Sequence, residues 1–411
     1  MRRLSAFLQT LGRANVPVMF RLFRLLALFA PVLLAACGFN GTDPDEDESA
    51  RPVAESGADE MASRDPAEGE LVEVDIADSE QRPEMQLQIV LDRRGFGPGV
   101  IDGKMGMSTE NALKGFQEAN GLDVTGTLDE ATAQALARWD NIPATRVVRI
   151  PESWGSVAYR PVPDEPEDQA EMDALGYESL DEKLAERFHT KVEVLRALNP
   201  GGRPAGMAAS EPPRAMPTPT PTPSAGATAA QPAFRPGQLV RVPNVGADRI
   251  DPGASDDRDW LRTLASLGVG TEQPEVVRLL VDKSEGWLKG YDAGGELVAM
   301  FTVTSGSSRD PLPLGEWKIL GVSRNPPFHY NPDLFWDADP GHQKAEIAPG
   351  PNNPVGVVWI DLSKEHYGIH GTPAPETIGR AESHGCVRLT NWDAARLAEM
   401  VSGSTQVVFQ A

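Results

Sequence analysis

Between residues 84 and 136 apolar residues recur at helical spacing in three short bursts: Met85, Leu87, Val90 and Leu91; Ala112, Leu113 and Phe116; Ala131, Ala135 and Leu136. Spacings of three and four place each burst on one face of a helix, and glycine-rich turns separate them. A small three-helix module is predicted over residues 83–140, with Ser108 or Thr109 capping the second helix and Asp129 the third. The helical period returns in "GYESLDEKLAERFHTKVEVLRALN", where Leu180, Leu184, Ala185, Phe188, Val194, Leu195 and Leu198 share a side. His189 then falls on the helix surface. With the strand-like "FRPGQLVRVPNV" at 234–245, this predicts an α+β middle region over residues 146–245. From residue 274 to 411 the pattern turns to strands broken by Gly and Asp. One helix interrupts them, "NWDAARLAEMV", with Asn391 as its N-cap. The fold class is multidomain, with a mostly-β, β-sandwich-like domain at the C-terminus.

Segments without a period carry information of another kind. The repeat "PTPTPTP" favours extended polyproline II and marks residues 201–232 as a linker inside the middle region. Acidic residues crowd residues 37–82 with almost no aromatics, the signature of a disordered tether. A net charge of −22 disfavours nucleic acid as a partner. Five arginines and no acid precede the apolar run "LLALFAPVLLAA", so residues 1–36 read as a signal peptide, with Met1 or Met19 as its start. The run is too short for a comfortable membrane span. "LAAC" at 34–37 resembles the bacterial lipobox, which implies a lipoprotein carrying its lipid on Cys37. Gly38, rather than Asp, follows the cysteine. That choice implies lipid anchoring to the outer rather than the inner membrane of a Gram-negative bacterium, facing the periplasm.

Lipidation at Cys37 leaves Cys386 as the one free thiol, so no intramolecular disulfide is available. A free cysteine is mostly thiol near neutral pH and needs a base to act as a nucleophile. His370, sixteen residues earlier at a strand end, has the right chemistry. Gly385 permits a tight turn, making the N–H groups of Gly385 and Cys386 natural oxyanion donors. Arg388, two residues on, shares a face with Cys386 in an extended segment and can receive a carboxylate or join an ion pair. Zinc ligation by His370, His384 and Cys386, or a buried structural thiol, remain alternatives on residue type alone. The proline- and aromatic-rich run from Asn325 to Pro354 reads either as a lid or as packing onto its own core.

Three resemblances follow from these motifs. Leu87–Gln88, Gly95, Gly99, Asp102–Gly103, Gly106, Thr109, Phe116–Gln117, Thr125–Gly126 and Thr132 resemble the peptidoglycan-binding type 1 family, which implies a three-helix glycan-binding domain. The two middle helices and the closing "PGQLVRVP" are similar to a LysM module, interrupted by the linker. "IHGT", "SHGCVRLTNWDA" and the preceding "PLPLGEW" and "APGPNNPVG" resemble the L,D-transpeptidase (YkuD, ErfK-like) family over residues 275–410. That resemblance implies Cys386 as nucleophile and His370 as base. Ser383, His384 and Gly385 would shape the oxyanion site and pocket, with Arg388, Gly371 and Thr372 on the substrate side. It further implies peptidoglycan stem peptides as substrate and no cofactor or metal. The acyl acceptor is then a second stem peptide, an envelope protein, a free D-amino acid or water, and the alternative from another class is a non-catalytic peptidoglycan-binding lipoprotein on the same fold. Carbapenem sensitivity is implied as well. Gly371 stands where some members place a serine after the histidine, so a backbone carbonyl is the expected partner that orients His370.

Overall fold

The computed structural model describes residues 71–206, 232–246 and 249–411. The expected signal segment, Cys37, the tether up to residue 70 and linker residues 207–231 lie outside the described residues. Among the described residues no helix is long and apolar enough to cross a membrane.

The tether expected to continue to residue 82 gives way earlier to a strand, β1 (Val72–Val74), which pairs antiparallel with residues 147–149. Asp78 then accepts from Thr145 and Arg82, so this acidic stretch is held by tertiary bonds that composition cannot show. Helix α1 (Pro83–Arg93), a short strand β2 (Phe96–Gly97), α2 (Met107–Ala119) and α3 (Glu130–Leu136) form the helical module. Two buried glutamines staple its loops. Gln88 accepts from the Asp102 and Gly103 N–H groups and donates to Lys104 O and Thr109. Gln117 does the same for Thr125, Gly126, Thr127 and Thr132. Asp129 caps α3 by accepting from Thr132 N. The cap expected at Ser108 or Thr109 is absent: the N-cap of α2 is Gly106, and Thr109 lies inside the helix, its hydroxyl committed to Gln88.

The middle region contributes β3 (Thr145–Arg149), α4 (Pro166–Ala170), α5 (Leu180–Arg187), α6 (Val192–Leu198) and β4 (Leu239–Pro243). Strands β3 and β4 pair antiparallel, and with β1 they make a three-stranded sheet in the order β1-β3-β4. The linker expected from residue 201 begins later. Ala205 is buried, with its N–H on Leu198 O and its carbonyl on Arg241 Nε.

After α7 (Arg258–Leu267) come β5 (Arg278–Asp282), β6 (Trp287–Tyr291), β7 (Leu297–Thr302), β8 (Thr304–Ser305) and β9 (Gly315–Arg324). A hairpin of β10 (Phe328–Tyr330) and β11 (Ala345–Ile347) follows, then β12 (Val358–Leu362), β13 (Gly368–His370) and β14 (Val387–Arg388). Helix α8 (Asn391–Met400) and β15 (Gln406–Gln410) end the chain. One hydrogen-bonded sheet of ten strands runs β2-β7-β6-β5-β15-β9-β12-β13-β14-β8. Its halves join through β9, which pairs with β15 over residues 315–318 and with β12 over 319–324. The core of this domain is built on α7, α8 and the inward positions of the sheet, with Trp260, Trp392 and Phe301 fully buried. Thr390 rather than Asn391 caps α8, its hydroxyl accepting from Asp393 N.

The modules are fused. Strand β2 of the helical module pairs in parallel with β7 of the C-terminal domain. A Cβ on Gly115 would lie 2.8 Å from Met300, so this glycine lets α2 lie directly on β7. His189, expected on a helix surface, is instead fully buried with a left-handed φ of 52°. Its Nε2–H donates to Leu267 O at 2.9 Å, Nδ1 lies 3.4 Å from Asp92, and its ring stacks on Trp392. Asp92 of α1 completes the junction by receiving both terminal nitrogens of Arg396 on α8, at 2.9 and 3.0 Å.

Candidate active site

Strands β13 and β14 are parallel, with Ile369 opposite Val387 and His370 opposite Arg388. Side chains alternate along strands. Ile369, Val387 and Leu389 are all fully buried in the core, which leaves His370, Arg388 and, two residues before it, Cys386 on the other face. One apolar anchor on β13 and two on the β14 segment therefore set the direction of the three reactive groups.

His370 is 4 % exposed, and its Nδ1–H donates to Gly371 O at 2.7 Å. A carbonyl only accepts, so this bond fixes the proton on Nδ1 and leaves the Nε2 lone pair available. The ring stacks on Trp359 of β12, the residue opposite it in register, at 5.4 Å. Gly368 makes room for this, since a Cβ there would lie 2.6 Å from the indole. Burial, helped by the Arg388 charge, depresses the His370 pKa to about 3, against the pull of the Gly371 and Val355 carbonyls. The histidine is therefore a neutral base across the physiological range.

Cys386 is partly exposed, and its thiol is directed at His366 O at 3.7 Å. Burial pushes its pKa upward, beyond what the Gly368 backbone and Arg388 recover. The resting pair is thus thiol plus neutral imidazole. Gly385 has a φ of 100°, and a Cβ there would sit 2.5 Å from the Tyr367 ring, so two constraints select glycine. Among the described residues the N–H groups of Gly385 and Cys386 have no acceptor. Ser383, expected to shape the pocket, works through the turn: its hydroxyl donates to Cys386 O at 2.7 Å and accepts from Gly306 N at 2.6 Å. The nucleophile's backbone is tied to β8 in this way.

Burial lowers the Arg388 pKa, with the Cys386 charge opposing. Arg388 has no carboxylate partner among the described residues, and its Nε is buried without a hydrogen bond. This departs from the ion pair that residue type allowed. His384 faces the β10–β11 hairpin, with Nε2 bonded to Asp337 at 2.9 Å and Phe335 edge-on at 5.1 Å. The hairpin's aromatics stay outside the main core. They pack on each other and on His384, and Trp336 is tied to Asp310, which is the lid-like arrangement. Gly371 and Thr372, read as substrate contacts, are buried in the wall. Gly371 lies against Asn391, and the Thr372 hydroxyl accepts from Ala374 N. Zinc ligation loses its geometry, because among the described residues the one converging set of ligand atoms is Glu165, Glu167 and His342.

Sequence reasoning missed Trp359, Tyr367 and Asn391. The alternation in "GVVWIDL" signals a strand but not which neighbour the indole covers. A second feature escaped it too. A cleft of about 290 Å³ opens between the 102–108 loop of the helical module and residues 375–380, on the segment joining His370 to Cys386. Lys104, Lys191 and Arg380 line it, one from each part of the molecule.

Parts of this chain are similar to known proteins. Residues 277–409 match the YkuD family, described as "L,D-transpeptidase catalytic domain", and residues 85–136 match one described as "Putative peptidoglycan binding domain". A Bacillus licheniformis protein, "Putative L,D-transpeptidase YkuD", is 51% identical over 59 residues, covering 14% of this chain and 36% of that protein. An Escherichia coli protein, "Probable L,D-transpeptidase YbiS", is 30% identical over 143 residues, covering 33% and 46%. The chain thus spans about a third to a half of the length of these relatives. L,D-transpeptidase 3 from Mycobacterium tuberculosis, solved with a faropenem-derived adduct, is 17% identical, covering 43% of this chain and 76% of that one, with a TM-score of 0.28. The chain carries an L,D-transpeptidase catalytic domain over residues 277–409 and, ahead of it, a peptidoglycan-binding domain over residues 85–136.

Proposed function

We propose that the protein is a peptidoglycan L,D-transpeptidase. The observation that carries the reading is the shared sheet face of His370, Cys386 and Arg388, with His370 Nδ1 clasped by Gly371 O. As the Cys386 sulfur attacks the carbonyl of stem-peptide residue 3, its proton passes to His370 Nε2. Both groups rest neutral, so transfer accompanies attack rather than preceding it. The Gly385 and Cys386 N–H groups receive the oxyanion. Collapse breaks the amide bond, the imidazolium returns its proton to the departing D-Ala amine, and a thioester remains. An incoming amine then gives up its proton to His370 and displaces the sulfur. Arg388 receives a substrate carboxylate. The acceptor is the side-chain amine of a neighbouring stem peptide, giving a 3-3 crosslink, or a lysine of an envelope protein.

The rest of the chain fits a substrate that is an insoluble net. The antiparallel β3–β4 pair with α5 and α6 between them in sequence supports a LysM-like, glycan-binding middle region. The cleft, where Lys104, Lys191 and Arg380 face two carboxylates, Asp102 and Glu376, supports passage of a peptidoglycan strand beside the helical module. Lipid on Cys37 would hold the protein at the periplasmic face of the outer membrane. The test is incubation of the chain from residue 41 onward with disaccharide-tetrapeptide, followed by mass spectrometry. A dimer that has lost one D-Ala, reduced about a thousandfold or more in Cys386→Ala, is the expected result. Tripeptide alone would mean a hydrolase or a missing protein acceptor, and full turnover by Cys386→Ala would sink the reading.

A further inference from the structure

Helix α5 belongs to the middle region, yet one of its carboxylates reaches the back of the active site. Asn391, fully buried at the start of α8, donates from Nδ2 to Glu186 Oε1 at 2.8 Å and to Pro351 O at 3.0 Å. Its Oδ1 accepts from Val357 N at 3.3 Å. That same oxygen lies 2.3 Å from where a Cβ on Gly371 would be, and 2.0 Å from that of Gly356. Asn391 therefore presses directly on the residue whose carbonyl holds His370 Nδ1. Glu186, with Pro351 O and the Val357 N–H, fixes which way the amide points, because turning it over would bring Oδ1 against a carboxylate and a carbonyl, both acceptors. Glu186 is itself kept in register. Leu175 N bonds to Pro349 O, and Asn352 donates to Gly176 O and Glu182, so α5 and the 349–353 loop are docked side by side.

We propose that Glu186 is a positioning residue for the base, acting through Asn391 and the Gly371 backbone, so that the middle region completes the active site as well as serving any glycan. The inference deepens the transpeptidase reading and rests on it for the turnover arm of its test alone. Burial places Glu186 near a pKa of about 7 despite the Asn391 and Tyr177 bonds, with Glu182 adding to the rise. Protonated or not, one of its oxygens accepts from Asn391.

The test uses the full chain with Glu186→Leu, Glu186→Ala and Glu186→Gln, the folded fraction being checked by thermal melting. With tetrapeptide muropeptide, Leu and Ala should lower kcat about tenfold with KM within twofold, while Gln, which retains an accepting oxygen, should stay within about threefold of wild type. A second arm needs no substrate. Alkylation of Cys386 by iodoacetamide across pH should shift in the Leu and Ala variants towards the His370→Ala profile, and Gln should restore the wild-type curve. If wild type fails to turn over, the transpeptidase reading falls and the alkylation arm still decides this one. Profiles of folded Leu or Ala variants that overlay wild type, or an equal loss in Gln, would overturn the proposal.

Discussion

Two polar clusters in this molecule receive opposite treatment. At the junction of the modules, Asp92, Arg396 and His189 are buried and fully partnered. Burial alone would raise the Asp92 pKa, but Arg396 and His189 hold its carboxyl well below the usual range. On the reactive face, His370 and Cys386 are both driven to their neutral forms, and the Arg388 Nε and two backbone N–H groups lack partners among the described residues. The junction commits Arg396 to Asp92, and His189 to Asp92 and Leu267 O. The reactive face leaves donors and a base unsatisfied, at a cost in stability that the well-packed core beneath it offsets, and that is what a substrate can use.

The largest expected effect breaks the junction. Asp92→Asn preserves shape but takes the bidentate carboxylate from the buried Arg396, leaving Asp393 at 3.9 Å as its remaining counter-charge, and should cost at most about 3–5 kcal/mol, measured by urea unfolding. The stabilisation from Asp92 is fully present above the ordinary carboxylate pKa of 3.8 and is lost as pH falls through the depressed folded value. Wild type should therefore weaken in acid more steeply than Asp92→Asn. Glu186 has the opposite sign. Its pKa rises from 4.5 to about 7 on folding, so stability should decline as pH climbs through that window, and Glu186→Gln should flatten the decline. Equal acid sensitivity of wild type and Asp92→Asn would contradict the account of the junction.

The reactive face gives the next effect. Arg388→Met removes the charge that favours the Cys386 thiolate and disfavours protonated His370. The thiol pKa should rise further, slowing iodoacetamide alkylation at pH 8 about three- to tenfold, which is half to one pKa unit. If Arg388 receives a substrate carboxylate as proposed, losing that charge-assisted bond should cost kcat/KM about 10- to 100-fold. Alkylation that is unchanged or faster would show that Arg388 does not act on the thiol.

The two clusters were not equally legible. His370 and Cys386 lie in a short stretch rich in glycine and reactive side chains, and β-pairing of neighbouring segments brings them to one face. The three helices were legible because their apolar period is local. Asp92 and Arg396, by contrast, are 304 residues apart, and nothing near either one names the other. Asn391 looked like a cap because asparagine at a helix start usually is one. Thr390 took that role, which freed the amide for Glu186, a contact between residues 205 apart. His189 was misread for the same reason: helical periodicity places a side chain on a face, but a second domain decides whether that face meets water.

The cleft between the modules sharpens the comparison with the smallest effect. Its cations come from the helical module, the middle region and the catalytic domain, in a chain whose net charge is −22. Asp102 also lines it, but its carboxylate is engaged by the Lys104 N–H and approached by Gln88, while Glu376 is exposed. If the carboxylates of a peptidoglycan strand pass here, Lys104→Glu with Arg380→Glu should raise KM for disaccharide-tetrapeptide about threefold to tenfold. Each exposed pair is worth only a few tenths to about 1 kcal/mol. The rise should shrink at high salt. Neither side chain touches the reactive face, so kcat and Cys386 alkylation should hold at wild-type values. A fall in kcat with KM unchanged would mean instead that the 375–380 segment transmits strain to the Cys386 turn, and would move the cleft from substrate recognition to the architecture of the nucleophile.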